Sequence, residues 1–215
     1  MRRLLTTEPK PPNPVFARLA SEDRVKTVLA ALERSGIATS IVDTGEQARA
    51  HVLDMLPDGA EVFTSTSTTL DTLGLTGAID ESSRLKPVRS RLRAMDRAAQ
   101  AGQIRQLRSA PDYIVGSVHA ITEDGQLLIA SASGSQLGAY AWGAAHVIWV
   151  AGTHKLVADL DEGMRRIEEY CYPLENQRSQ KAYGEPSSIR KVLIVNREDN
   201  AGRLSMVLVR EALGF

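Results

Sequence analysis

Val62-Phe63-Thr64-Ser65-Thr66-Ser67-Thr68-Thr69-Leu70 is the stretch that decides the fold class. The apolar run Ala60 to Phe63 follows a Pro57-Asp58-Gly59 turn and reads as a short buried strand. The chain then crosses six consecutive hydroxyl residues, Thr64 to Thr69, and enters a short helix over Thr68 to Leu73. A strand that feeds a helix through a small polar loop is the repeating unit of an α/β sheet. In such sheets the loops at the carboxyl ends of the strands bind ligands.

Working outward, the same alternation continues on both sides. Upstream, Ile37 to Val42 reads as a strand and Glu46 to Leu56 as a helix. Before them, Asn13-Pro14 is a helix-start signal, and a lead-in helix carries Phe16, Leu19, Ala20, Val25, Val28, Leu29 and Leu32 until Gly36 stops it. Residues 1–12 are polar and proline-rich and read as a disordered tail. Downstream, Val88 to Ala101 reads as a helix placed after Pro87. Asp112 to Val115, Gln126 to Ala130 and His146 to Val150 read as strands, and Gly134 to Ala144 as an Ala-rich helix. Asp159 caps a helix whose apolar side is Leu160, Met164, Ile167, Cys171 and Leu174, at helical spacing. Leu174 to Pro186 is polar and reads as irregular; Val192 to Val195 and Met206 to Val209 close the chain as strands. The pattern predicts a mixed, mostly parallel sheet with helices on both faces and an N-terminal helical lead-in, forming one domain over 13–215. The Asp124-Gly125 and Asn200/Gly202 turns predict some antiparallel pairing.

Composition narrows the function classes. The 215 residues are 43% hydrophobic and carry 26 basic and 26 acidic side chains, so nothing global points to nucleic acid or to an anionic membrane. One cysteine, Cys171, provides neither a disulfide framework nor four thiolates for an iron–sulfur cluster. No apolar run has the length of a signal peptide or a membrane span, so the expected location is cytoplasmic. There is no Walker loop, dinucleotide fingerprint, HExxH pair or GxSxG elbow, and neither a metal nor a cofactor is expected.

Five features remain as chemistry. The hydroxyl loop offers Thr64, Ser65, Thr66, Ser67 and Thr68 as donors to an anion; one of them is needed only to cap the helix. Gly116 to Gly125 follows a strand and contains Ser117, His119 and Glu123, the last two as candidate acid, base or nucleophile. Ser131-Ala132-Ser133-Gly134-Ser135-Gln136 is a second small-residue loop, with a glycine for close backbone approach. Gly152-Thr153-His154-Lys155 brings a lysine to another strand end, as a point charge for phosphate or carboxylate. Arg84 to Arg108 holds eight basic residues and one acid, Asp96, and reads first as a solvated face, second as a polyanion or partner contact. It lacks the aromatic interleaving of a single-strand nucleic-acid site.

In order along the chain these segments resemble the lactate-utilization (LUD) domain family, in its LutC/YkgG-like branch. The likeness is carried by GAEVFTSTSTTLDTLGL (Gly59 to Leu75) and by PDYIVGSVHAITEDGQLLIASASGSQLGAYAWGAAHVIWVAGTHKLV (Pro111 to Val157). RRIEEYCYPLENQR (Arg165 to Arg178) and LVREALGF (Leu208 to Phe215) add to it. The resemblance implies a fold similar to the NagB/RpiA/CoA-transferase group. It also implies a cluster-free accessory component of L-lactate or 2-hydroxy-acid oxidation, beside partner subunits that carry iron–sulfur clusters. In that reading the chain binds a small anionic metabolite, alone or as a homo-oligomer. The alternative is a stand-alone enzyme acting on a phosphosugar or an acyl-CoA, with His119 or Glu123 as base or nucleophile.

Overall fold

The computed structural model describes residues 11–215, so most of the tail expected at 1–12 lies outside the described residues. Asn13 accepts a hydrogen bond from the Val15 amide, but the start signal opens only a single 3₁₀ turn, Pro14–Ala17. Ser21 then caps a separate helix, α1 (Glu22–Arg34). The expected continuous lead-in is thus two pieces, because a second capping residue interrupts it. In order there follow β1 (Ala38–Val42), α2 (Gly45–Asp54), β2 (Glu61–Thr64), α3 (Thr68–Thr72), α4 (Leu75–Asp80), β3 (Lys86–Pro87), α5 (Val88–Arg93) and α6 (Ala101–Ser109). Next come β4 (Tyr113–Gly116), β5 (Ala120–Thr122), β6 (Leu127–Ser131), a π-helical turn at Ala139–Gly143 and β7 (His146–Gly152). A 3₁₀ turn at Thr153–Lys155 leads to β8 (Leu156–Val157), α7 (Leu160–Arg166), a π-helical turn at Ile167–Cys171, α8 (Tyr172–Tyr183), β9 (Lys191–Val195) and β10 (Leu204–Val209).

Six strands form one sheet in the order β1-β10-β7-β4-β2-β3, and every neighbouring pair in it is parallel. Alternate residues of β7 enter opposite cores, as a two-residue period requires. Val147, Trp149 and Ala151 join α1, β5, β6 and Tyr140 on one face. Ile148 and Val150 join α2, α3 and α4 on the other. This two-sided burial explains why β7 reads as a continuous apolar run.

A second sheet, β8-β5-β6-β9, lies beyond the first core. Its β5–β6 and β6–β9 pairs are antiparallel. The Asp124-Gly125 turn closes the β5–β6 hairpin; Gly125 has φ +84 there, and a Cβ would press on the Ala31 carbonyl. The Asn200/Gly202 segment makes no hairpin: β9 and β10 belong to different sheets. The far side of the small sheet is covered by α7 and the turn after it, whose Leu160, Met164 and Ile167 join Ala120, Leu128 and Val157 in one cluster.

Two expected boundaries shift for local reasons. The helix over Val88 to Ala101 is broken, because Asp96 Oδ1 takes the Ala98 and Ala99 amides at 2.8 and 2.9 Å and Gln100 Oε1 takes the Asp96 amide. Side-chain acceptors of this kind compete with helix propagation. Leu174 to Pro186, expected to be irregular, is helical through Tyr183. Its polar sequence reflects an Arg178–Glu175 pair one turn apart and a buried Asn176, not a loop.

Candidate functional site

A cavity of about 900 Å³ opens where the carboxyl ends of β2, β4 and β6 converge, between α5, α6 and α8. The hydroxyl loop after β2 and the small-residue loop after β6 leave strands of different sheets, contrary to the expectation of one shared sheet. The layered fold still brings them to one cavity. Ser65, Thr66, Ser67, Thr68, Ser117, His119, Ser131, Ser133, Ser135 and Gln136 all line it.

Each loop splits its residues between structure and cavity. Ser67 caps α3 by accepting from the Leu70 amide, and Thr66 Oγ1 accepts from Arg89 at 2.8 Å. Thr64 is fully buried beneath the cavity, not on its surface. Ser131 Oγ accepts from the Gly134 amide at 2.9 Å, and Gly134 takes φ +81 to make the turn rather than to line the cavity. Gly116 ends β4 with no side chain. A Cβ there would collide with the Tyr140 hydroxyl and lie 2.7 Å from Ser65 Oγ. Burial raises the Tyr140 hydroxyl to about 12, so it stays a neutral donor.

His119 has a fixed tautomer. Its Nδ1 accepts from the Ala130 amide at 3.2 Å, which leaves the proton on Nε2. Burial, then the charges of Lys155 and Arg166, lower its pKa to about 3. The imidazole therefore meets the cavity as a neutral donor, not as a base.

Two cations stand behind this floor. Lys155, expected at a loop, is fully buried. Its Nζ donates to Thr69 Oγ1 (3.0 Å), Ser117 Oγ (3.1 Å), Val118 O (3.1 Å) and the backbone oxygen of Phe215 (3.0 Å). Burial and then Arg166 bring its pKa down to about 7. Arg166 is also fully buried; Nη1 donates to His119 O and to Cys171 Sγ, and the guanidinium lies 5.1 Å over the Tyr170 ring. Its Nε and Nη2 have no partner among the described residues. Among those residues no Asp or Glu side chain pairs with either cation. His154 is buried beside Lys155, with its pKa pushed down to about 2 by burial first and Lys155 second.

Glu123 is not brought to the site. It lies outside the cavity lining and pairs with Arg24 at 2.6 Å. The basic segment, read first as a solvated face, supplies Arg89, Arg93, Arg97, Arg105 and Arg108 to the cavity wall, and α8 adds Arg178. Against these six arginines stand two acidic side chains, Asp71 and Glu175. Arg93 is paired with Asp80 and Arg178 with Glu175, whereas Arg97, Arg105 and Arg108 have no carboxylate among the described residues. The excess of eight bases over one acid was the available sequence signal. Tyr140 and Arg166, which complete the floor, carried no comparable signal.

A profile of the LUD domain matches residues 25–209. The chain belongs to the LUD-domain family. The matched LUD region contains all three cavity loops and the arginine-bearing helices. Among solved structures, a DUF162 family protein from Deinococcus radiodurans superposes with a TM-score of 0.56 at 11% identity, covering 89% of this chain and 99% of that one. The beta subunit of eIF2B from Chaetomium thermophilum gives 0.37 at 10% identity, covering 65% of this chain and 48% of that one. The delta subunit from the same organism gives 0.35 at 12%, covering 67% and 58%. At such identities the likeness to the Deinococcus LUD-fold neighbour concerns the fold alone. No curated protein matches this LUD-domain chain. Among the described residues no helix is long and apolar enough to cross a membrane. Among them, too, no group of three or more His, Cys, Asp or Glu is placed to hold a metal ion.

Proposed function

We propose that this LUD-domain protein binds an anionic metabolite in the arginine-lined cavity, as an accessory component of L-lactate or related 2-hydroxy-acid oxidation. The observation that carries the binding reading is the charge imbalance of the wall, six arginines against two acidic side chains. Guanidinium forks match carboxylate and phosphate oxygens two at a time. The floor adds neutral donors from Ser65, Tyr140 and His119, whereas the Ser117 hydroxyl proton goes to Val150 O at 2.7 Å. The likeness to the LutC/YkgG-like branch supports the oxidation context, with iron–sulfur clusters on partner subunits. Cys171, the one cysteine of these 215 residues, is buried against Arg166, and burial pushes its thiol pKa up.

The second reading, turnover of a phosphosugar or acyl-CoA, has one observation in its favour: a lysine with a pKa near 7 lies 3.1 Å from Ser117 Oγ. The surrounding bonds favour binding instead. Val118 O and Phe215 O carry no proton, and the Thr69 hydroxyl proton is committed to Leu213 O. These three acceptors satisfy all three hydrogens of an ammonium. Of the two candidates for base or nucleophile, His119 meets the cavity as a neutral donor and Glu123 lies outside it.

A thermal-shift titration of the purified chain with L-lactate, orthophosphate and pyrophosphate tests the binding reading. A bound anion at a hundred times its dissociation constant adds about 2.7 kcal/mol of stability. We expect a raised midpoint with at least one of them, reduced by added salt. No shift with any of the three overturns the binding reading. Lactate-dependent dye reduction by the isolated chain overturns the accessory role.

A further inference from the structure

The cavity is larger and more strongly charged than a three-carbon acid requires. Its volume of about 900 Å³ is near the top of the range of about 300–1,000 Å³ for ligand sites. Its charge is also unevenly placed. The strand ends present uncharged donors with Phe63 and Ile129 beside them, and Leu92 and Ile104 line the cavity from α5 and α6. Of the six wall arginines, Arg178 lies on α8 and the other five lie on the arm formed by α5, α6 and the turn between them. There Arg97, Arg105 and Arg108 have no carboxylate, and Arg89 holds only the Thr66 hydroxyl. Arg108 adds an independent sign: its Nε is buried at the cavity wall with no hydrogen-bond partner among the described residues.

The arm itself is weakly held. No residue of α6 is buried, and Arg105 and Arg108 sit one turn apart on it with like charge. A single carboxylate cannot neutralise several guanidiniums spread over two helices. Linked phosphates can, because each offers several acceptor oxygens at a fixed spacing from the next.

We propose that the cavity takes an organic di- or triphosphate. Its linked phosphates lie on Arg89, Arg97, Arg105 and Arg108, and its uncharged body lies against the strand-end donors and the apolar residues beside them. Binding neutralises the arm and fastens α6 to the hydroxyl loops. The proposal rests on the anion-binding reading above and narrows it to a ligand class.

Isothermal titration of the full chain with ADP, pyrophosphate, orthophosphate and L-lactate tests it, together with amide hydrogen exchange over 101–109. Each charged hydrogen-bonded contact accounts for roughly a tenfold change in affinity. We therefore expect ADP and pyrophosphate to bind at least about thirtyfold more tightly than orthophosphate or lactate. Exchange over 101–109 should slow on adding ADP. Arg97→Gln and Arg105→Gln, both at exposed positions, should each weaken ADP about tenfold. Arg91→Gln, which loses only a pair with Glu61 outside the cavity, should not. Equal affinity for lactate, orthophosphate and ADP, or ADP binding indifferent to Arg97 and Arg105, overturns this inference and leaves the anion-binding reading standing. Absence of binding by all four probes overturns both.

Discussion

Lys155 and Arg166 behind the floor of the cavity, and Arg97, Arg105 and Arg108 on its arm, are basic groups held under opposite physical conditions. The floor cations are fully buried and fixed by backbone oxygens, hydroxyls and a sulfur. Holding charge there is costly in free energy, since burial with no Asp or Glu beside the charge is compensated only in part by hydrogen bonds. The arm cations are at least partly exposed, and water solvates them at little cost. The difference teaches which part of the site is shape and which is affinity. A rigid floor sets a field and a geometry that a ligand meets ready-made, whereas the arm responds to what is bound. Changes to the floor should therefore register as stability, and changes to the arm as binding.

The largest effect is expected at Gly116. Its missing side chain lets the Tyr140 hydroxyl pack beside Ser65, with Tyr140 edge-on to Trp149 at 5.3 Å between ring centroids. Gly116→Ala forces Tyr140 or β4 to move, and overpacking a dense core on this scale costs about 3 kcal/mol. Urea denaturation monitored by tryptophan fluorescence measures it directly. A loss below about 0.5 kcal/mol, the range of ordinary surface substitutions, would mean that the floor deforms freely and that the contrast drawn above is false.

A smaller effect should appear with pH. His119 and His154 have folded-state pKa values of about 3 and about 2, against 6.5 for an unperturbed ring. Between 6.5 and these values the unfolded chain takes up protons that the folded chain refuses. Stability is thus present above pH 6.5 and is lost as the pH falls below it. By pH 5 the loss is at most about 2 kcal/mol for each ring, and less for His119, which the cavity partly exposes. Denaturation midpoints at pH 7 and pH 5 for the native chain and His119→Gln check this. The variant should show the shallower decline; an equal decline would separate His119 from the buried floor.

Much of this frame was legible in the residues. The hydroxyl loop after β2 sits where a strand-to-helix loop should, because the Pro57-Asp58-Gly59 turn and the capping Ser67 define both ends. The apolar run of β7 marked a strand buried on both faces. The second sheet was not legible as such: β5 and β8 have only three and two residues, too few for a periodic signal. Lys155 could not be placed, since the acceptors that bury it come from positions 69, 117, 118 and 215. The arginine segment was visible as charge, but charge alone does not say which way a helix faces. That depends on Ile104 and Leu107, whose half-buried side chains orient α6. Glu123 misled for the converse reason: a turn acid near a strand end gives no hint of an arginine 99 residues away.

The smallest stability effect is expected on the arm, and it is the sharpest test of the contrast. Arg97 and Arg105 are exposed and have no carboxylate partner among the described residues, so replacing both by Gln removes no ion pair of the folded chain. What it does remove is repulsion among like charges on one short arm. The double variant should therefore unfold within about 0.5 kcal/mol of the native chain. Any gain should be on the stabilising side and should fade as salt is added, because a screening length of about 10 Å at 0.1 M already covers the spacing of neighbouring turns. Urea midpoints at 20 mM and 500 mM salt read this out. A loss of more than about 1 kcal/mol at either salt concentration would mean that these arginines hold the arm in place themselves, and the division into a structural floor and a responsive arm would fail on the arm's side.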